Sequence, residues 1–213
     1  MNIREKIIDI IHLDPKSEPV TTLSSMYRRL TDEAQKEEFL SVLKDLALNG
    51  SEDDQAASLY VIRLIEEAKK SGDVIKELVE KFDYEKNEEL LSSLLFLCAA
   101  LSTGWSISFI KETMRHFKPE TKEYIYSFDM GLRSIVDSLY WKDAIDDIKW
   151  AIENYDDVNT ADLVAYFIWR RSKADLKELD NLIKSDKPVY DRVASLEDEI
   201  VDRYSKVYGR LEK

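Results

Sequence analysis

Residues 40–47 read LSVLKDLA, which sets Leu40, Leu43 and Ala47 at relative positions 0, 3 and 7. That spacing follows a 3.6-residue period and gathers three apolar side chains on one face of a helix. The same set recurs down the chain as Ile75/Leu78/Phe82, Ile107/Ile110/Met114, Ile145/Ile148/Ile152 and Leu176/Leu179/Ile183. Successive first positions lie 35, 32, 38 and 31 residues apart. One helix pair of that length cannot bury both of its apolar faces, so its neighbours must complete the core. The spacing therefore predicts stacked antiparallel helix pairs. An irregular helical bundle is the alternative, because any amphipathic helix repeats its apolar residues in this way.

Working outward from these blocks, no stretch alternates β-branched and polar residues, and no strand is expected. Pro19, Pro119 and Pro188 each precede a helical pattern, where a missing N–H costs nothing in the first turn. Pro15 ends the first helix. Asn49-Gly50 and Ser71-Gly72 mark helix ends, with Ser51 and Asp73 placed to cap the helices that follow. The expected helices run over 2–13, 20–30, 32–48, 52–70, 73–83, 86–102, 105–117, 119–139, 142–154, 160–172, 174–185 and 189–210. The fold class is all-α, in a single domain over 1–213. Five pairs fill 20–185, with cap helices in 1–19 and 186–213.

In organisation the chain resembles HEAT-like α-helical repeats, and the resemblance covers about residues 20–185. It implies an α-solenoid whose second helices line a concave face. HEAT repeats carry a proline within the first helix and an Asp/Arg ladder, and neither is met here. The Trp, Leu-Gly and Tyr positions of tetratricopeptide repeats are not met either.

Most catalytic chemistry lacks its residues. Two histidines, His12 and His116, and one cysteine, Cys98, are too few for a closed zinc site. No metal or cofactor is expected. The acidic pairs Asp53-Asp54, Asp146-Asp147 and Asp156-Asp157 lack the alternating ligands of a calcium loop, and the last reads as a loop capped at Asn159 or Thr160. Five scattered glycines make no phosphate cradle. Cys98, inside LLFLCAAL, reads as a buried and inert thiol. The longest apolar run, 90–101, is short of the roughly 20 residues that span a bilayer, and no signal peptide is read, so a cytoplasmic location is expected.

Charge carries the functional expectation. The chain has 31 Lys and Arg against 43 Asp and Glu, a net charge of −12, and residues 31–169 alone hold −14. Such a field repels nucleic acid and anionic membranes and favours a basic partner. With positions 0, 3 and 7 facing the core, positions 2 and 5 lie nearly opposite. They are Val42/Asp45, Glu77/Glu80, Phe109/Glu112, Asp147/Trp150 and Glu178/Asn181. Asp45, Glu77, Glu80, Glu112, Asp147 and Glu178 are thus expected to form an acidic partner-binding stripe, with Phe109 and Trp150 as apolar anchors.

Of 22 aromatic residues, 13 lie in 105–169, which reads chiefly as a thick core with part of it at an interface. Tyr140, Trp141 and Trp150 are the expected interface aromatics; Tyr166, Phe167 and Trp169 are expected in the core. The combined reading is a non-catalytic module that binds a basic protein. In size, sign of charge and lack of catalytic groups the chain resembles bacterial toxin-immunity proteins, which implies a basic nuclease-type toxin domain as partner. The alternatives are a helical-repeat scaffold or regulatory adaptor, and an all-helical enzyme using carboxylates.

Overall fold

The computed structural model describes residues 2–13, 18–84, 88–116, 122–170, 181 and 184–208. Among these residues the chain is all-α, with twelve α-helices and two short 3₁₀ turns. The helices are α1 (Ile3–Ile11), α2 (Pro19–Arg29), α3 (Glu33–Asn49), α4 (Glu52–Leu64), α5 (Gly72–Glu80) and α6 (Glu88–Leu101). They continue as α7 (Gly104–His116), α8 (Lys122–Asp137), α9 (Ile145–Asn154), α10 (Asp157–Arg170), α11 (Lys187–Ser195) and α12 (Glu197–Val207). The expected helix over 174–185, with Leu176, Leu179 and Ile183, falls almost wholly outside the described residues, as do Pro15 and Pro119.

The chain divides into two compact units, Met1–His116 and Phe117–Lys213. In the first, α3 packs on α4, α4 on α6 and α6 on α7, while α2 packs on α4 and α3 on α5. Each of these helices meets its next or next-but-one neighbour. In the second unit α10 packs on α12, α8 and α9, and α9 on α11. Contact between 32–48 and 174–185, which would mark a closed bundle, involves positions outside the described residues.

The apolar register largely places the core. Leu40, Leu43, Ala47, Ile75, Ile107, Ile110, Met114, Ile148 and Ile152 are all buried, while Leu78, Phe82 and Ile145 are half-buried. Val42 departs from the register, being buried although it was expected to face outward. The reason is that α3 is covered from several sides, by α1, α4 and α5, so its apolar face widens beyond one stripe.

Helix ends follow side-chain chemistry. Ser51 caps α4 in a reciprocal box with Asp54, as expected, and Pro19 opens α2. Three boundaries differ from the expected ones. The helix expected over 52–70 ends at Leu64, because Glu66 takes a left-handed backbone (φ 61°) and a 3₁₀ turn over Lys69–Ser71 follows. Gly72 opens α5 rather than ending α4, and Asp73 lies in its first turn, not at the cap. The helix expected over 189–210 breaks at Leu196, where Ser195 turns its hydroxyl back onto the Arg192 carbonyl and competes for the helical acceptor. At α10, Asp156 is the cap, its carboxylate accepting the Asn159 N–H at 2.8 Å; Thr160 is buried inside the helix.

Candidate functional site

The six acids of the expected stripe fare differently. On α3, Asp45 pairs with Arg4 of α1 and accepts from the Asn49 amide. Those bonds hold its carboxyl below the usual range, the Asn49 contact being the stronger influence. On α5, Glu77 pairs with Lys81 and Glu80 with Lys76, each one turn away. Three of the four acids in the first unit are therefore neutralised by a neighbouring base, and only Glu112 is exposed without an ion-pair partner among the described residues. Glu178 lies outside the described residues.

Phe109 is not an exposed anchor. It is 4% exposed, its ring edge-on to Phe82 at 5.6 Å and stacked near Tyr84 at 6.4 Å. Tyr84 in turn stacks on His116 at 3.7 Å and reaches the Thr113 hydroxyl at 2.9 Å. The chain after α5 folds these rings across α7, so the position opposite the core stripe becomes a second packed face.

In the second unit the tryptophan expected to lie outside the core is exposed. Trp150 on α9 is 38% exposed, while Ile148, Ala151 and Ile152 of the same helix are buried. Its ring is backed by Phe128 at 4.9 Å and by the edge of Tyr155 at 6.3 Å, so the indole is held against the fold while its outer part meets solvent. Asp146, one turn before, and Glu153, nearly one turn after, are exposed on that outward side and have no ion-pair partner among the described residues. Asp147 is half-buried. Of the expected pair Tyr140-Trp141, Tyr140 is exposed but Trp141 is buried within the 3₁₀ turn Trp141–Ala144, packed between α8 and α9.

Trp169 corrects another expectation. Tyr166 and Phe167 are buried, but Trp169 is 45% exposed. It sits three residues past Tyr166, at the margin of the buried face of α10, and stacks on Tyr208 at 4.7 Å with the Arg170 guanidinium 4.9 Å from its ring. A buried tyrosine beside an exposed tryptophan is what a helix crossing the edge of a core produces.

One polar arrangement, between α8 and α10, was not singled out from the sequence. On α8, Asp129, Arg133 and Asp137 stand four residues apart, and on α10 so do Asp162, Tyr166 and Arg170. The two ladders interlock. Arg133 donates from Nε to Asp129 at 2.7 Å and from Nη2 to Asp162 at 2.8 Å. Its guanidinium lies 4.8 Å from the Tyr166 ring. Below it, the Tyr166 hydroxyl donates to Asp137 at 2.9 Å, and Arg170 donates to both oxygens of Asp137 at 2.8 Å. Burial, reinforced by the Asp137 charge, pushes the Tyr166 hydroxyl well above the usual tyrosine range. The i, i+4 spacing was a legible signal on each helix, but nothing in it tells which two helices meet.

His12 meets Asp54 at 3.1 Å, where that carboxylate is already the capping partner of Ser51, and His116 stacks on Tyr84. Burial pushes the Cys98 thiol up to about 12, as the apolar run predicts for an inert cysteine. Among the described residues no group of three or more His, Cys, Asp or Glu is placed to hold a metal ion, and no helix is long and apolar enough to cross a membrane. No family model, no curated protein and no solved structure matches this chain.

Proposed function

We propose that the protein is a non-catalytic binding module that captures a basic protein through an acidic face, and that Trp150 of α9 is the centre of that face. The observation that carries this reading is the exposed indole of Trp150, held by Phe128 and Tyr155 and flanked by the exposed carboxylates of Asp146 and Glu153, which have no ion-pair partner among the described residues. A rigid aromatic anchor with charge around it is the composition of a binding hot spot, and the acids select a cationic partner. Asp147 joins this face. Within the first unit, Asp45, Glu77 and Glu80 are weaker candidates for contact with a basic partner, because Arg4, Lys81 and Lys76 already offset their charge. Glu112 of the first unit and Glu178, which lies outside the described residues, stay proposed as partner contacts, and Phe109 does not.

The finer architecture within this proposal is a HEAT-like stacking of helix pairs. The succession of α2, α4 and α6, with α3 on α5 beside it, supports that stacking in the first unit. The finer identity is an immunity protein that covers a basic toxin domain, supported by size and by a net charge of −12. A toxin gene beside the gene for this protein is the neighbourhood that identity requires.

Tryptophan fluorescence titrated with a polyarginine peptide tests the face directly. The signal is expected to change on binding at low salt, and Trp150→Ala should weaken binding by about 2 kcal/mol. Reversing Asp146 and Glu153 to Lys should slow association more than reversing Glu77 and Glu80. Equal binding by all of these variants would place recognition elsewhere on the molecule.

A further inference from the structure

We propose that the Asp129–Arg133–Asp162 cluster is an acid-responsive exchange site, in which proton uptake by Asp129 leaves the Arg133 guanidinium wholly to Asp162 and tightens α8 against α10. The charges themselves set up the exchange. Two carboxylates share one guanidinium, so the cluster carries an excess negative charge in a half-buried place, where charge is costly and a proton relieves it. The side chains of Arg133, Asp129 and Asp162 are only 15%, 26% and 33% exposed.

The two carboxylates are not equivalent. Asp129 lies one turn before Arg133 on the same helix, so the bond at 2.7 Å holds the guanidinium to its own helix. Asp162 reaches across from α10, and its bond at 2.8 Å is the one that ties two helices together. While both acids are ionised they compete for one positive charge. A proton from solvent on Asp129 ends the competition; Arg133 stays protonated throughout, and the neutral carboxyl still accepts a hydrogen bond through its carbonyl oxygen.

Among the described residues, the other titratable groups facing the cluster are Tyr166 of α10, under the guanidinium, and Tyr208, which follows α12 and lies near Arg133 and both acids. Both tyrosines are held above their usual range, chiefly by burial, so neither competes for the proton near neutrality. Asp137 is bound by Arg170 and Tyr166 and belongs to the next turn of the ladder. Asp129 is the member that burial, aided by the Asp162 charge, pushes upward against the pull of Arg133.

The sign of the effect separates this site from ordinary acid loosening. A carboxyl whose folded value is raised takes up its proton on folding, so its contribution to stability grows as pH falls through that window. Amide hydrogen exchange on the full chain, corrected for intrinsic rates, reads this on α8 and α10 between about pH 7 and the ordinary aspartate value of about 4. Protection of these two helices is expected to rise several-fold on acidification. It should be high at both values in Asp129→Asn, which mimics the protonated acid, and lose its pH response in Asp162→Asn. Protection that falls on acidification, or an unchanged response in Asp129→Asn, overturns the proposal. Should a variant fail to fold, the carboxyl carbon shift of Asp129 in the unsubstituted protein decides the matter by NMR: a midpoint at or below the ordinary aspartate value also overturns it.

Discussion

The backbone of Glu66 stands at φ 61°, in the region that favours glycine. Its N–H donates to the Arg63 carbonyl and that of Glu67 to the Ile62 carbonyl, both at 3.2 Å, which are the paired bonds of a Schellman turn at the end of α4. A Cβ in that conformation costs about 1 kcal/mol or more, so Glu66→Gly is expected to raise the unfolding free energy by about 1 kcal/mol in a urea titration. Gly50 presents the opposite case, with an ordinary φ of −77° but no room. A Cβ there would meet the Leu46 carbonyl oxygen and the Asp54 Cβ, each at 2.5 Å. Gly50→Ala should therefore lower stability by about 1–3 kcal/mol, visible as a reduced denaturation midpoint. Burial alone would raise the Asp54 carboxyl next to it, but hydrogen bonds from Ser51 and the His12 imidazole outweigh burial and hold it below the usual carboxylate range. A depressed carboxyl stabilises the fold above its unfolded value and loses that contribution as pH falls through its folded one. Asp54→Asn should accordingly flatten the loss of stability below about pH 4 in denaturant titrations taken at stepped pH.

At the scale of the element, the 0, 3, 7 pattern predicts a core face well and an outward face poorly. Ile75 of α5 is fully buried while Leu78, at the next pattern position, is only half-buried. Ile75→Ala is expected to cost about 2–5 kcal/mol and Leu78→Ala clearly less, a ranking that thermal denaturation of the two variants checks. Periodicity reports which side chains share a stripe, not how wide a stripe the neighbours cover. That is why Val42 and Phe109, opposite the stripe in register, are buried, and why Trp169 emerges at the edge of α10 although its apolar context reads as core. Helix ends were legible where a side chain marks them, at Ser51 and Pro19. They were not at Glu66 or Leu196, where nothing in the residue type announces a break.

For the whole molecule, net charge is shared between the two units, with 15 Lys and Arg against 22 Asp and Glu in the first and 16 against 21 in the second. Much of it is locally compensated by exposed pairs one turn apart, such as Glu77 with Lys81, Lys187 with Asp191 and Lys206 with Asp202. Pairs of that kind contribute about 0–1 kcal/mol each and are screened by salt. The melting temperature should therefore hardly move between low salt and about 0.5 M, whereas binding of a basic probe at the Trp150 face should fall steeply over the same range. Differential scanning calorimetry and the fluorescence titration, run in the same buffers, check the two halves of that expectation.

Read alone, the sequence determined that this protein is helical from end to end of its described part, and it placed most core positions, because the 3.6-residue period and the scarcity of glycine and proline are local properties that each segment carries with it. It also settled the sign of the surface, since net charge is a sum that no folding alters. Which acids remain uncompensated was decided only by tertiary structure, for Asp45 finds Arg4 across 41 residues, while Asp146 and Glu153 find no ion-pair partner among the described residues. The same holds for the cluster around Arg133. Its two ladders are visible separately in the sequence, but the choice of Asp162, 29 residues away, as the partner across helices belongs to the packing of α8 on α10. Long-range neighbours depend on how faces of several helices fit one another, and that fit is not written in any one helix.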